Sequence, residues 1–164
     1  VGTTRSRIMF INDLLGFPTD QEKLYRCYMH TSSQSIATGT NTGVSFTTTG
    51  EDPFNMNSTI FGSSKLYVKI IRSGLYRIDC GIQYVAVAGN NRSVSIILFR
   101  NNTNTTLGTQ QKEGEASSDI ALNASAVVDL QHGDLIYMQA FQDSGSSIAL
   151  SGTRANFLIV SELK

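Results

Sequence analysis

Apolar and polar side chains alternate along residues 73 to 87. Tyr76, Ile78, Cys80, Ile82, Tyr84 and Ala86 share one parity, while Arg77, Asp79, Gly81 and Gln83 hold the other. Side chains alternate faces along a strand, so this period of two predicts a long strand over 75–87 with one face in the core. Ser73-Gly74 before it is a turn signal. Val85 and Val87 make the end of its second face apolar as well.

The same reading extends over the rest of the chain. Short strands are expected at 24–29, 34–37, 44–48 and 66–70, punctuated by Gly39, Asn41, Gly43 and Gly50. Residues 51–64 read as a long loop. Ala88-Gly89-Asn90-Asn91 reads as a hairpin turn, because Gly and Asn accept positive φ cheaply. A return strand follows over 92–100. A polar turn is expected at 101–106, a short edge strand at 107–111 and a loop at 112–118. Residues 120–130 alternate again, His132-Gly133-Asp134 is a tight turn, and 135–142 is a strand. A turn at 143–146 precedes the closing strand, 155–162. Eight to ten strands at this spacing, with no helix beyond a turn or two, indicate an all-β sandwich or barrel.

The chain of 164 residues fits one domain with a sizeable core. Charged residues make up 16% and formal net charge is zero. This leaves no basic field for nucleic acid, and no apolar run approaches the length of a membrane span. Residues 1–23 differ from the rest and are read as an N-terminal arm or attachment segment, with 24–164 as the folded domain. In the arm, Ile8, Phe10, Leu14, Leu15 and Phe17 are candidates for docking on a particle. Asn12 and Asp13 interrupt the patch, so no signal-peptide core is expected there.

Little in the chain suggests catalysis. His30 and His132 have no Cys, Asp or Glu at ligand spacing. Nucleophile-elbow, P-loop and dinucleotide motifs do not occur. The close carboxylates, Glu51-Asp52 and Glu113 with Glu115, match no dedicated calcium motif. No enzyme activity, metal or cofactor is therefore expected. Cys27 and Cys80 do not define a disulfide framework, and their pairing stays open. Sequons occur at Asn57, Asn91, Asn101, Asn104 and Asn123.

The order of motifs resembles a known family. A Gly74-Leu75-Tyr76 strand opens the central hairpin, Arg100-Asn101 follows the return strand, and Leu130-Gln131-His132-Gly133-Asp134 leads into an alternating strand. A Ser/Gly-rich turn, Ile148-Ala149-Leu150 and Phe157-Leu158-Ile159-Val160 complete it. This resembles the jelly-roll domain shared by the globular head of complement component 1q and the tumour necrosis factor family, over residues 34–164. The aromatic-Gly pair common near the end of the complement branch is absent, Leu158 following Phe157. The phrase Thr42-Gly43-Val44-Ser45-Phe46, with sparse charge and abundant Ser, Thr and Asn, is most similar to the branch found in bacteriophage virion proteins.

The resemblance implies two antiparallel sheets and a homotrimer about a threefold axis. Small residues let neighbouring backbones approach, and Gly81, Val85, Ser125 and Val127 are the candidate interface. It also implies that loops at one end of the trimer present a polar surface. Asn90, Asn91, Asn102, Asn104, Glu113, Glu115, Asp143 and Ser144 are the candidate receptor-binding residues. The expected function is that of a non-enzymatic virion component, a head fibre, spike or receptor-binding tip. Its partners would be other virion proteins and a host-surface glycan or protein, without nucleic acid or membrane insertion. Two alternatives stand beside it: a capsid decoration or collar protein held by the arm, and an extracellular complement- or cytokine-like domain.

Overall fold

The computed structural model describes residues 25–31, 33–51, 56–58, 66–88, 91–152 and 155–163. The expected arm, with Ile8, Phe10, Leu14, Leu15 and Phe17, lies outside the described residues, as does Asn90.

Thirteen strands occur among the described residues: β1 (Arg26–Thr31), β2 (Ser35–Ile36), β3 (Thr42–Gly43), β4 (Thr48–Glu51), β5 (Asn57–Ser58), β6 (Tyr67–Lys69), β7 (Gly74–Tyr84), β8 (Asn91–Arg100), β9 (Thr103–Glu113), β10 (Ile120–Leu130), β11 (Leu135–Gln142), β12 (Ile148–Ala149) and β13 (Asn156–Glu162). One sheet has the order β10-β7-β13-β1-β4, the other β5-β6-β11-β8-β9 with β3 also on β11. Strands β12 and β2 form a separate ribbon. Every pairing is antiparallel. No described helix is long and apolar enough to cross a membrane.

The core fills the space between the two sheets. Tyr76, Ile78, Cys80, Ile82 and Tyr84 of β7 and Leu122 and Ala124 of β10 meet Val94, Ile96, Ile136 and Met138 of the facing sheet. The parity read from the sequence is thus the one buried. Tyr84 also carries its hydroxyl into the core, 2.9 and 3.0 Å from the carbonyl oxygens of Ser93 and Phe141. The buried Asn156 is fully engaged. Its Oδ1 accepts from Gln83 N–H at 2.8 Å, and its Nδ2 donates to the Ser151 and Gly152 carbonyls at 3.0 and 3.2 Å. These contacts satisfy polar groups that would otherwise destabilise the interior.

Several expectations change. The long strand ends at Tyr84 rather than residue 87. There the chain turns to the 148–151 segment, where Val85 N–H donates to the Ala149 carbonyl and Ser151 N–H to the Gln83 carbonyl. Val85 and Val87 therefore pack against the core and do not extend the outer sheet face. The expected turn at 101–106 shrinks to Asn101-Asn102, whose φ values of 51° and 60° make a tight hairpin between Arg100 and Thr103. Two consecutive left-handed residues suit the right-handed twist of the flanking strands. Asn104 accordingly lies in β9, which runs for 11 residues instead of the short 107–111 strand. Finally, Asn57–Ser58 forms a strand inside the expected 51–64 loop.

The registers define two ends of the sandwich. Gly74 pairs with Leu130, Phe99 with Leu135 and Arg100 with Thr103 at one, the turn end. Tyr84 pairs with Ile120, Arg92 with Gln142 and Asn91 with Glu113 at the other, the loop end.

Candidate functional site

The outward face of the five-stranded sheet is the first candidate surface. Because β7 buries its even positions, Leu75, Arg77, Asp79, Gly81 and Gln83 point outward. Opposite them on β10 stand Asp129, Val127, Ser125, Asn123 and Ala121. Of the candidate interface residues, Gly81, Ser125 and Val127 share one face, while Val85 lies beyond the strand. Leu75 and Val127 are 42% and 60% exposed, which is unusual for large aliphatic side chains here. Across β13 and β1 the face continues as Phe157, Ile159 and Tyr28, which with Arg26 line a groove of about 280 Å³.

Gly81 shapes this surface. A Cβ there would sit 2.7 Å from Asn123 Oδ1 and 2.9 Å from Phe157 Cζ, so only glycine lets the Phe157 ring lie down on the sheet. Arg77 donates to both oxygens of Asp79, at 2.8 and 3.2 Å, and Ser125 Oγ donates to the same carboxylate at 2.7 Å. The polar strip is therefore self-satisfied beside the apolar one. Sequence reasoning missed Tyr28, Phe157 and Ile159. The signal was present in the unbroken run Phe157-Leu158-Ile159-Val160, which is apolar on both parities and therefore on both faces.

The loops do not gather at one end. Asn91, Glu113, Glu115, Asp143 and Ser144 lie at the loop end, whereas Asn102 and Asn104 lie at the turn end. At the loop end, most of the polar chemistry is committed internally. Asp143 Oδ1 accepts from Asn91 N–H at 2.6 Å. Ser144 donates its backbone N–H and hydroxyl to Gln142 Oε1 at 2.9 and 2.7 Å. Glu115 accepts from Lys112 at 2.7 Å and from Ser118 at 2.8 Å, and the Lys112 hydrogen bond leads in holding its carboxyl below the usual range. Glu113 remains exposed at the end of β9.

Among the described residues, no three His, Cys, Asp or Glu side chains gather as a metal site. His30 lies on β1 beside Tyr28, ring centroids 5.6 Å apart, and His132 sits in the 131–134 turn. Cys27 and Cys80 are both buried, and they are not bonded to each other. Burial pushes the Cys80 thiol up to about 12, so it stays protonated and unreactive at neutral pH.

No protein-family model and no curated protein sequence matches the chain. Solved structures do. Murine APRIL superposes with a TM-score of 0.64 at 15% identity, covering 86% of this chain and 100% of that one. Eiger TNF from S. frugiperda gives 0.62 at 13% identity, covering 86% and 93%. The globular domain of zebrafish complement 1qA gives 0.60 at 12% identity, covering 84% and 95%. At such identities the likeness is one of architecture: the chain has the jelly-roll fold of the tumour necrosis factor and complement 1q domains.

Proposed function

We propose that the chain is a non-enzymatic, homotrimeric recognition head. Three copies pack through the outward face of the β10-β7-β13-β1 sheet and share one threefold axis, so that each displays the same binding surface three times. The observation that carries this reading is the aromatic and aliphatic stripe of Tyr28, Phe157 and Ile159, flanked by the exposed Leu75 and Val127. A contiguous apolar patch on an otherwise polar chain marks an interaction surface. Closed symmetry is the common outcome when a chain associates with itself. The commitment of Asp143, Glu115 and Ser144 to holding loops, and the burial of both thiols, favour binding over catalysis.

The setting we propose is the surface of a virus particle, as a bacteriophage head fibre, spike or receptor-binding tip. Three weak contacts to a host-surface glycan or protein would gain affinity through avidity. The support is the resemblance carried by Thr42 to Phe46 and the sparse charge. A decoration or collar role would use the same trimer, held to other virion proteins through residues 1–23. The likeness to Eiger, APRIL and complement 1qA favours a second reading, an extracellular ligand or complement-like domain of a cell.

Light scattering tests the trimer. The expected mass is three times the 17.8 kDa of one chain. Ile159→Lys, which puts a charge on the apolar stripe of every copy, should give the single-chain mass with an unchanged β-sheet circular dichroism spectrum. A parent that is already single-chain at micromolar concentration overturns the reading. Protein from its native source separates the settings: glycosidase-sensitive mass at Asn91, Asn101, Asn104 or Asn123 would sink the bacteriophage assignment.

A further inference from the structure

We infer that each protomer holds a recognition site for a neutral, hydroxyl-rich ligand, a saccharide ring, in the cleft at the turn end of the sandwich. This rests on the reading of the chain as a recognition head and gives that head a ligand class and a location. The cleft has a volume of about 260 Å³ and lies between the Asn101-Asn102 hairpin and the 131–134 turn.

Its walls are rigid. Arg100 donates from Nε to Asp134 Oδ1 at 2.8 Å and from Nη2 to Asp134 Oδ2 at 2.5 Å, with a further contact to the Asp129 carbonyl at 3.3 Å. Asp134 Oδ2 also accepts from Gln131 N–H at 2.7 Å. Gly133 N–H donates to the Ile70 carbonyl at 2.7 Å, Ile70 N–H to the Asp134 carbonyl at 2.8 Å, and His132 N–H to Ser73 Oγ at 2.9 Å. The 131–134 turn is thereby fixed to Ile70 and Ser73, and Arg100, which pairs with Thr103 at the root of the hairpin, ties the hairpin to it before any ligand arrives, which lowers the ordering cost of binding.

The groups at the mouth are unspent. The side-chain amides of Asn101, Asn102 and Gln131 and the imidazole of His132 are exposed, line the cleft and make no hydrogen bond among the described residues. Arg100 Nη1 is likewise left over as a fixed donor. This is the reverse of the loop end, where Asp143, Ser144 and Glu115 are engaged internally. Charge then selects the ligand. The Arg100 guanidinium is matched by the Asp134 carboxylate, so the cleft offers neither an anion nor a cation a net field. Each amide presents donors and an acceptor together, the pairing that a sugar hydroxyl, itself donor and acceptor, can use. Phe99 and Leu135, both half-buried in the lining, supply the apolar surface for the C–H side of a ring.

The test is a titration of the isotope-labelled full chain with galactose, glucose, mannose and N-acetylglucosamine, read by amide chemical shifts. Saturable shifts at Asn101, Asn102, Gln131 and His132 are expected for at least one sugar. The double variant Asn102→Gly, Gln131→Ala removes two amides and keeps the hairpin, because glycine accepts the positive φ at 102. It should keep the parent melting temperature and bind about tenfold or more weakly, the loss of two neutral hydrogen bonds. No saturable shift with any of the four sugars overturns the proposal. Shifts confined to 114–119 and 143–147 also overturn it, while leaving the recognition-head reading intact. Shifts with inorganic sulfate but not with sugars overturn the neutral-ligand assignment. Light scattering on the same samples reports the trimer independently, so a failed cleft and a failed recognition head give different results.

Discussion

Asp134 shows how one carboxylate can organise a whole end of the sandwich. It is 5% exposed, yet it binds Arg100 twice and caps the Gln131 N–H. Burial alone would raise its carboxyl. The Arg100 hydrogen bond, the Gln131 N–H and the Arg100 charge outweigh that and hold it below its ordinary 3.8. A depressed carboxyl stabilises the fold fully above the unfolded value and loses that contribution as pH falls through the folded one. Asp134→Asn should therefore cost about 2 kcal/mol at neutral pH, leaving Arg100 half-paired. Urea midpoints followed downward should show the gap to the parent closing below pH 3.8. A gap that stays constant into acid would show that the ionic form contributes nothing. Gly81 acts on the outward face of the five-stranded sheet. Gly81→Ala should displace the Phe157 ring and cost about 1–2 kcal/mol by overpacking. The decisive readout is the trimer, which should dissociate at higher protein concentration than the parent.

At the scale of elements, β7 and β10 were legible because each alternates with one face in the core, and β11 because its apolar run Leu135 to Met138 lies between two turn signals. Residues 120–130 and 135–142 fold over the very spans read from the sequence. Strand β9 was legible only in its middle, over 107–111, and its first residues were not. Its positions are almost all exposed, so neither parity of Thr103 to Glu113 carries an apolar signal. The run of Asn and Thr looked like loop, although β-branched threonines suit a strand whichever way they face. The apolar stripe was hidden for another reason: Tyr28, Phe157 and Ile159 come from the two ends of the sequence and meet only when β1 pairs with β13. Placing loops at one end failed similarly, since chain order does not reveal which hairpins point which way. Strand β9 has a further consequence for stability. Among the described residues it pairs only with β8, and its other side meets β10 through side chains such as Gln110, which accepts from Asn123 N–H. Hydrogen exchange should be faster across 103–113 than across β7, which is paired on both sides. Equal protection in the two strands would mean that the sandwich opens only as a whole.

For the whole molecule, assembly and recognition occupy different surfaces. The apolar stripe covers one sheet face, while the proposed saccharide cleft lies at the turn end, between β8–β9 and β10–β11. A charged residue on the stripe should therefore abolish the trimer without abolishing sugar binding by the single chain. Only the avidity of three linked sites should go. Strands β1 and β13 lie side by side and antiparallel, with the Glu162 N–H donating to the Tyr25 carbonyl at 2.7 Å. The described chain thus enters and leaves at the turn end, and its mechanics depend on where it is held. Tension between these two points pulls across the strands and would peel β1 from β13 one bond at a time, like a zipper. The proposed cleft lies at this same turn end, so tension between Tyr25 and a ligand seated there also runs across the strands and not along them. A head held and seized at one end is loaded in its weak direction, and the β1–β13 bonds then fail in sequence instead of sharing the load.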